Sequence, residues 1–218
     1  MQKLTPEEAV KKLEQLGCIW YNPNPSKYCA LLVSGKVSNG FINFRRIYET
    51  GAGLELLKNM IWSMFISDTS MKFSGHNVGL VSGTAYGSLI PAYEMARLFG
   101  CGYSWTDKIE DPETGKSKGQ VCKTDVAGKR VLFIEDVLTT GGSVMQSRQA
   151  VSDAGGIVLD PLLTLVNRSG KDHADGTPIS SFIDLVFEVH EPDASPWKTA
   201  VPIKPKLEGN WEKLVTQV

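Results

Sequence analysis

Two rhythms of apolar and polar positions run through this chain and replace one another repeatedly. Val10, Leu13 and Leu16 recur at helical spacing, with Thr5, Pro6 and Glu8 as a capping box and an N-terminal proline, and Gly17 ends the pattern. The segment Tyr28 to Val33 reads as a strand, Ser34-Gly35-Lys36 as a turn, and Phe41 to Phe44 as a second strand leading into Arg45 and Arg46. Helical spacing returns after Gly51 and Gly53 through Leu54, Leu57, Met60, Ile61 and Met64. A short strand over Asn77 to Val81 follows, then a small-residue loop at Gly83 to Gly87, a helix from Ser88 to about Gly100, and a strand over Cys101 to Trp105.

Val131 to Ile134 is an unbroken apolar run, as expected for a strand buried on both faces of a parallel sheet. A helix is predicted over Ser143 to Ala154, closed by Gly155-Gly156, with strands over Ile157 to Val166 and Ser181 to His190. The proline-rich tail beyond His190 reads as extended. Repeated alternation of strand and helix predicts a doubly wound α/β domain with a central parallel sheet. Thr106 to Gly128 has neither rhythm: Lys108, Lys116, Lys118 and Lys123 are interleaved with acids, glycines and a proline, which predicts a lid or solvated loop.

Composition narrows the class. The 218 residues suit one domain, and Lys plus Arg, 23, nearly balance Asp plus Glu, 24, so the net charge of -1 gives no general attraction to nucleic acid or anionic membrane. No apolar run approaches the roughly 20 residues that span a bilayer, and the charged N-terminus has no signal-peptide core, so a soluble, cytoplasmic protein is expected. Cys18, Cys29, Cys101 and Cys122 form no C-x-x-C pair, and His76, His173 and His190 are far apart, so the sequence predicts reduced thiols and no protein-built metal site.

Candidate chemistry concentrates after Ile134. Glu135 and Asp136 stand at the end of the apolar strand, and Thr139, Thr140, Gly141, Gly142 and Ser143 make a small turn before a helix. Free backbone N–H groups and the positive end of a helix dipole meet in such a turn, which makes it an anion site. Its glycines follow neither the P-loop nor the dinucleotide spacing. Two acids beside a phosphate cradle suit a ligand that carries both a phosphate and sugar hydroxyls.

The stretch Val131 to Ser143 resembles the signature of the type I phosphoribosyltransferases, in which a buried strand, two acids and a Thr/Gly-rich loop hold phosphoribosyl diphosphate (PRPP). Other segments resemble the orotate phosphoribosyltransferases in particular: Ser34, Gly35, Ser38, Phe41 and Arg45 in the early hairpin, and Leu165 to Arg168 at a strand end. The chain departs from that pattern at Val33, Gly87 and Asn167, which replace a lysine, a lysine and an acid, and its polar loop has no histidine.

The resemblance implies a type I phosphoribosyltransferase-like parallel sheet flanked by helices, in a single domain spanning 1–218, with a small hood from about 18–48 and the C-terminal segments. It implies transfer of ribose 5-phosphate from PRPP to orotate, giving orotidine 5′-monophosphate and diphosphate, in pyrimidine synthesis. By the same resemblance Glu135 and Asp136 would engage the ribose, and Thr139 to Ser143 the 5′-phosphate. Thr84, Ala85, Tyr86 and Gly87 with Lys108 would serve the diphosphate, and Phe41, Arg168 and Thr139 the base. Magnesium would arrive mainly on the diphosphate of PRPP, and the protein would be a homodimer. A phosphoribosyltransferase for another base and a non-catalytic PRPP-sensing regulator stay open as alternatives.

Overall fold

A computed structural model describes residues 1–69, 77–110, 113, 117–193 and 197–216, and its contacts divide the chain into two units. One comprises Met1–Glu7 and Glu55–Leu185; the other comprises Glu8–Leu54 and Val186–Val218. His76 and Lys116, along with Asp111, Pro112 and Gly115 of the polar stretch, lie outside the described residues.

The chain opens with α1 (Pro6–Gln15), which buries Ala9 and Leu13 and is followed by Gly17 at φ 65°. In the unit that begins at Glu8, β1 (Ile19–Tyr21) runs antiparallel to β4 (Gly40–Ile42), while β2 (Tyr28–Leu31) and β3 (Val37–Ser38) form a hairpin turned at Gly35, φ 86°. The expected strand through Phe44 is shorter. Phe44 instead opens a 3-10 turn, Phe44–Tyr48, that contains Arg45 and Arg46, because Phe44 and Ile47 turn inward together. Next comes α2 (Gly51–Met64). A side chain at Gly53 would meet the Ile47 carbonyl oxygen at 2.0 Å, so only glycine lets this helix start so close to the preceding turn.

The larger unit is built on β5 (Leu80–Thr84), α3 (Leu89–Phe99), β6 (Gly102–Glu110), β7 (Ser117–Cys122), β8 (Arg130–Leu138), α4 (Gly142–Asp153), β9 (Ile157–Val158), β10 (Leu162–Asn167), β11 (His173–Ala174) and β12 (Thr177–Asp184). Its sheet runs in the order β11-β12-β10-β8-β5-β6-β7, with β9 pairing β8. The five central strands are mutually parallel, and the β6–β7 and β11–β12 edges are antiparallel. Val131, Leu132, Phe133 and Ile134 are all wholly buried, as an apolar run in a central strand should be. Val131 and Phe133 pack with Leu80, Val126, Leu138, Val144, Val151 and Leu162.

Four sequence expectations need correction here. The strand expected over Asn77 to Val81 lies further on, at Leu80–Thr84, so Gly83 and Thr84 belong to the strand and not to the loop. Thr106 to Gly128 is not one aperiodic excursion. Its first part extends β6, and Ser117–Cys122 returns antiparallel along it, with Lys108 opposite Gln120. The run Ile157 to Val166 is two strands, split at Asp160-Pro161, where proline has no N–H to give to a ladder. Ser181 to His190 is likewise divided: β12 ends at Asp184, and the chain from Val186 onward joins the other unit.

There, β13 (Val189–His190) and β14 (Val201–Ile203) complete a four-stranded sheet ordered β13-β3-β2-β14. The extended tail carries an unexpected short helix, α5 (Asn210–Val215), whose Trp211 and Leu214 pack with Trp20 and Ala30.

Candidate active site

The sheet order locates the site before any side chain is considered. From β5 the chain passes through α3 to β6 on one side, whereas from β8 it passes through α4 to β10 on the other. Loops leaving neighbouring parallel strands in opposite directions open a crevice at their carboxyl ends. The two loops there are Ala85 to Ser88, after β5, and Thr139 to Gly141, after β8.

Strand β8 continues through both acids to Leu138, further than its apolar run suggested. Glu135 and Asp136 converge on one hydroxyl from the other loop. Ser88 Oγ lies 2.9 Å from Glu135 Oε2 and 3.1 Å from Asp136 Oδ1, and it accepts the Asp136 backbone N–H at 3.0 Å. Ser88 has no solvent exposure. Burial and the charge of Asp136 push the Glu135 carboxyl upward, to about 8, against hydrogen bonds from Ser88 and Thr84 that favour ionisation. A hydroxyl has one hydrogen to donate, so Ser88 cannot serve two ionised carboxylates at once. Its contacts are all satisfied when the pair keeps one proton, which agrees with the raised affinity of Glu135.

Behind the acids lies a chain of buried hydroxyls. Ser147 Oγ of α4 stands 3.2 Å from Thr84 Oγ1, accepts from Thr106 Oγ1 at 2.7 Å and donates to the Ser143 carbonyl at 3.1 Å. This network ties the end of β5 and the middle of β6 to α4. Neither Ser88 nor Ser147 nor Thr106 was singled out by the sequence. The available signal was small hydroxyl residues at strand ends and on a helix flank where apolar side chains would normally pack.

The loop after β5 is held close to the acids. Gly83 permits it to turn back, since a Cβ there would meet the Ser88 carbonyl oxygen at 2.3 Å. At Gly87 a Cβ would lie 2.2 Å from Asp136 Oδ2. A larger residue at this position would therefore have to displace the Asp136 carboxylate. Ala85 N–H donates to the Thr106 carbonyl at 3.1 Å, the Ala85-Tyr86 peptide is cis, and Tyr86 projects into solvent.

After β8, Thr139 and Thr140 are exposed and Gly141 caps α4 with φ 79°, a left-handed conformation that glycine adopts without strain. Gly142, Ser143 and Val144 then present the N–H groups of a first helical turn, which have no intrahelical acceptors. They lie one loop away from Glu135 and Asp136, so an anion site and two carboxyl groups share one sheet edge.

The remaining sequence candidates are more scattered. Arg168 directly follows β10, its N–H bonded to the Leu138 carbonyl at 2.7 Å, and burial lowers its guanidinium to about 10, still charged near neutrality. Asn167 has a structural task. Its amide nitrogen donates to the Lys171 carbonyl at 2.9 Å and to Asp184 Oδ1 at 3.0 Å, while its oxygen accepts from Ser169 N–H and Oγ. An acid could not make those donations, which accounts for the amide at this position. Lys108 is exposed on β6. Phe41 belongs to the other unit, edge-on to Trp211 with centroids 6.3 Å apart. Among the described residues no three His, Cys, Asp or Glu side chains converge as a metal cage, and no helix is long and apolar enough to cross a membrane.

A family model for the phosphoribosyl transferase domain matches residues 52–178, more than half of the chain. The chain belongs to the phosphoribosyltransferase family. Among phosphoribosyltransferases, the orotate phosphoribosyltransferase of Caldanaerobacter subterraneus subsp. tengcongensis is 31% identical over 174 residues, covering 79% of this chain and 85% of that one. The orotate phosphoribosyltransferase of Thermoanaerobacter sp. (strain X514) is 30% identical over 198 residues, 90% of this chain and 94% of that one. The crystal structure of orotate phosphoribosyltransferase from Aeropyrum pernix shares the phosphoribosyltransferase fold, with a TM-score of 0.61 at 21% identity over 80% of this chain and 92% of that one.

Proposed function

We propose that this protein transfers ribose 5-phosphate from PRPP to orotate, giving orotidine 5′-monophosphate and diphosphate, as a step of pyrimidine synthesis. The observation that carries the reading is the meeting of Glu135 and Asp136 at one sheet edge with the Thr139–Ser143 loop, in a chain whose relatives named orotate phosphoribosyltransferase align along most of its length. In the reaction the C1–O bond to diphosphate breaks, its electrons leave with the diphosphate, a ring nitrogen of orotate bonds to C1, and the proton that nitrogen carried is released, formally to the departing diphosphate. Positive charge develops on the ribose meanwhile.

Each part of the site has a matching task. The N–H groups at the start of α4 and the hydroxyls of Thr139, Thr140 and Ser143 hold the 5′-phosphate. Glu135 and Asp136 engage the ribose hydroxyls, and the negative charge of the pair favours the cation-like transition state. Thr84 to Gly87 and Lys108 serve the diphosphate. Arg168, Thr139 and Phe41 are the residues assigned to the base.

The two adjacent carboxyls suit a magnesium ion that would arrive mainly on the diphosphate of PRPP. The chemistry it supplies there is neutralisation of leaving-group charge. A cytoplasmic homodimer completes the reading. Incubation with PRPP, magnesium and a panel of bases, followed by diphosphate release, tests it. Turnover with orotate alone is expected, and turnover with a purine but not orotate would refute the base assignment.

A further inference from the structure

Ser88 is the point at which the loop after β5 meets strand β8. It ends the loop after β5, and its hydroxyl reaches residues 47 and 48 positions away on β8. It is wholly buried, and its backbone is fixed as well. Ser88 N–H donates to the Thr84 carbonyl at 3.3 Å, and its own carbonyl accepts from Ala92 N–H at 3.0 Å in α3. The hydroxyl therefore does not rotate on a mobile tip but projects from a fixed corner. Gly87, one residue earlier, brings the backbone within what would be 2.2 Å of Asp136 Oδ2 for any Cβ, so the loop rests against the acids over two successive residues.

We propose that Ser88 is a positioning residue that locks Glu135 and Asp136 to the Thr84–Ser88 loop, so that seating a ligand in that loop and aligning the acids on the ribose are one event. The proposal rests on the phosphoribosyl-transfer reading for the identity of the ligand. With the Ser88 hydroxyl present, Glu135 and Asp136 cannot move apart independently, nor can either shift along β8 without pulling on the loop. Without it, the two carboxyls lose the contact they share, Glu135 keeping its hydrogen bond from Thr84, while the 5′-phosphate cradle at the start of α4 is untouched.

A double-mutant cycle tests this, using Ser88→Ala, Asp136→Asn and the pair, with steady-state turnover and calorimetric PRPP binding on the full chain. Ser88→Ala should lower kcat by about 10- to 100-fold, the scale for misplacing a reacting group by an ångström, and leave the KM for orotate within about twofold. In the Asp136→Asn background the same change should cost clearly less than in the parent, because only the part that passes through Glu135 remains. Ser88→Thr, which keeps the hydroxyl, should recover most of the lost turnover. Independent, multiplicative losses in the cycle would overturn the proposal, as would unchanged kcat in Ser88→Ala. Should the unmutated protein turn over no base, the transfer reading fails, and PRPP binding still decides the role of Ser88. There Ser88→Ala must weaken PRPP about tenfold if the acids it holds contact ribose, and unchanged binding overturns the assignment.

Discussion

Replacing Gly87 by alanine adds one methyl group at the most crowded point of the site. The backbone itself tolerates the change, because Gly87 is not among the residues with positive φ. The added carbon, however, would stand 2.2 Å from Asp136 Oδ2, 2.7 Å from Cγ and 2.9 Å from Oδ1. Ordinary contact begins near 3.4 Å. The carboxylate must therefore withdraw by about 1 Å, and a displacement of that size next to reacting atoms costs on the order of 100-fold in rate. In free energy this is roughly 2.7 kcal/mol of transition-state stabilisation. The same movement stretches the 3.1 Å contact with Ser88.

We expect Gly87→Ala to fold, with a melting temperature near that of the unmutated protein, and to lose turnover of orotate and PRPP by that factor. Steady-state kinetics with diphosphate detection measures the loss, and thermal unfolding separates it from misfolding. A variant that folds and turns over within about twofold of the parent would refute the argument that Asp136 must sit where it does.

Three further outcomes are expected. On the proposed role of Arg168 in reading the orotate carboxylate, Arg168→Ala should weaken orotate by roughly 2–4 kcal/mol and PRPP little, measured by separate titrations; equal weakening of both ligands would remove Arg168 from the base site. Asn167→Asp should destabilise by about 2–3 kcal/mol in denaturant unfolding, since donations to the Lys171 carbonyl and Asp184 are replaced by repulsion; unchanged stability would show that the loop has other anchors. Glu135 binds its proton more tightly folded than unfolded, so its contribution is fully present below the ordinary value of 4.5 and is lost as pH rises toward about 8. Melting temperature should fall across that window, and Glu135→Gln should flatten the fall; an identical profile in the variant would count against a buried, proton-holding Glu135.

How far the sequence could be read depended on whether local pattern or distant pairing decided the outcome. Val131 to Ile134 was legible because a strand covered on both faces needs four apolar residues in a row, and nothing else in the chain offers such a run beside two acids. The helices at Leu89–Phe99 and Gly142–Asp153 were legible for similar reasons of period and glycine termination. The β6–β7 hairpin was not, because its polar residues form a strand only through pairing with each other at an exposed sheet edge. The break at Pro161 was written in the sequence but masked by apolar residues on both sides. Helix α5, with six residues, is too short to show a period, and its Trp211 and Leu214 are held by packing on Trp20 and Ala30. At the site, the acids and the Thr/Gly turn could be found from their order, whereas Ser88 matters only because the fold carries it across to β8.

The composition of the smaller sheet bears on how the chain is made. Its order, β13-β3-β2-β14, flanks two strands from the beginning of the chain with two from beyond Val186, and β14 lies beside β2 with Val201 opposite Tyr28. On the ribosome, Tyr28–Leu31 and Val37–Ser38 therefore emerge long before their neighbours exist, and the hairpin they form must wait with both edges unpaired. The strands of the larger sheet, in contrast, are encoded without interruption from Leu80 to Asp184 and can assemble as they appear. A chain that ended before β13 would hold the whole of the larger sheet while the hairpin of β2 and β3 still had neither of its sheet neighbours, and open strand edges of that kind invite pairing with other chains.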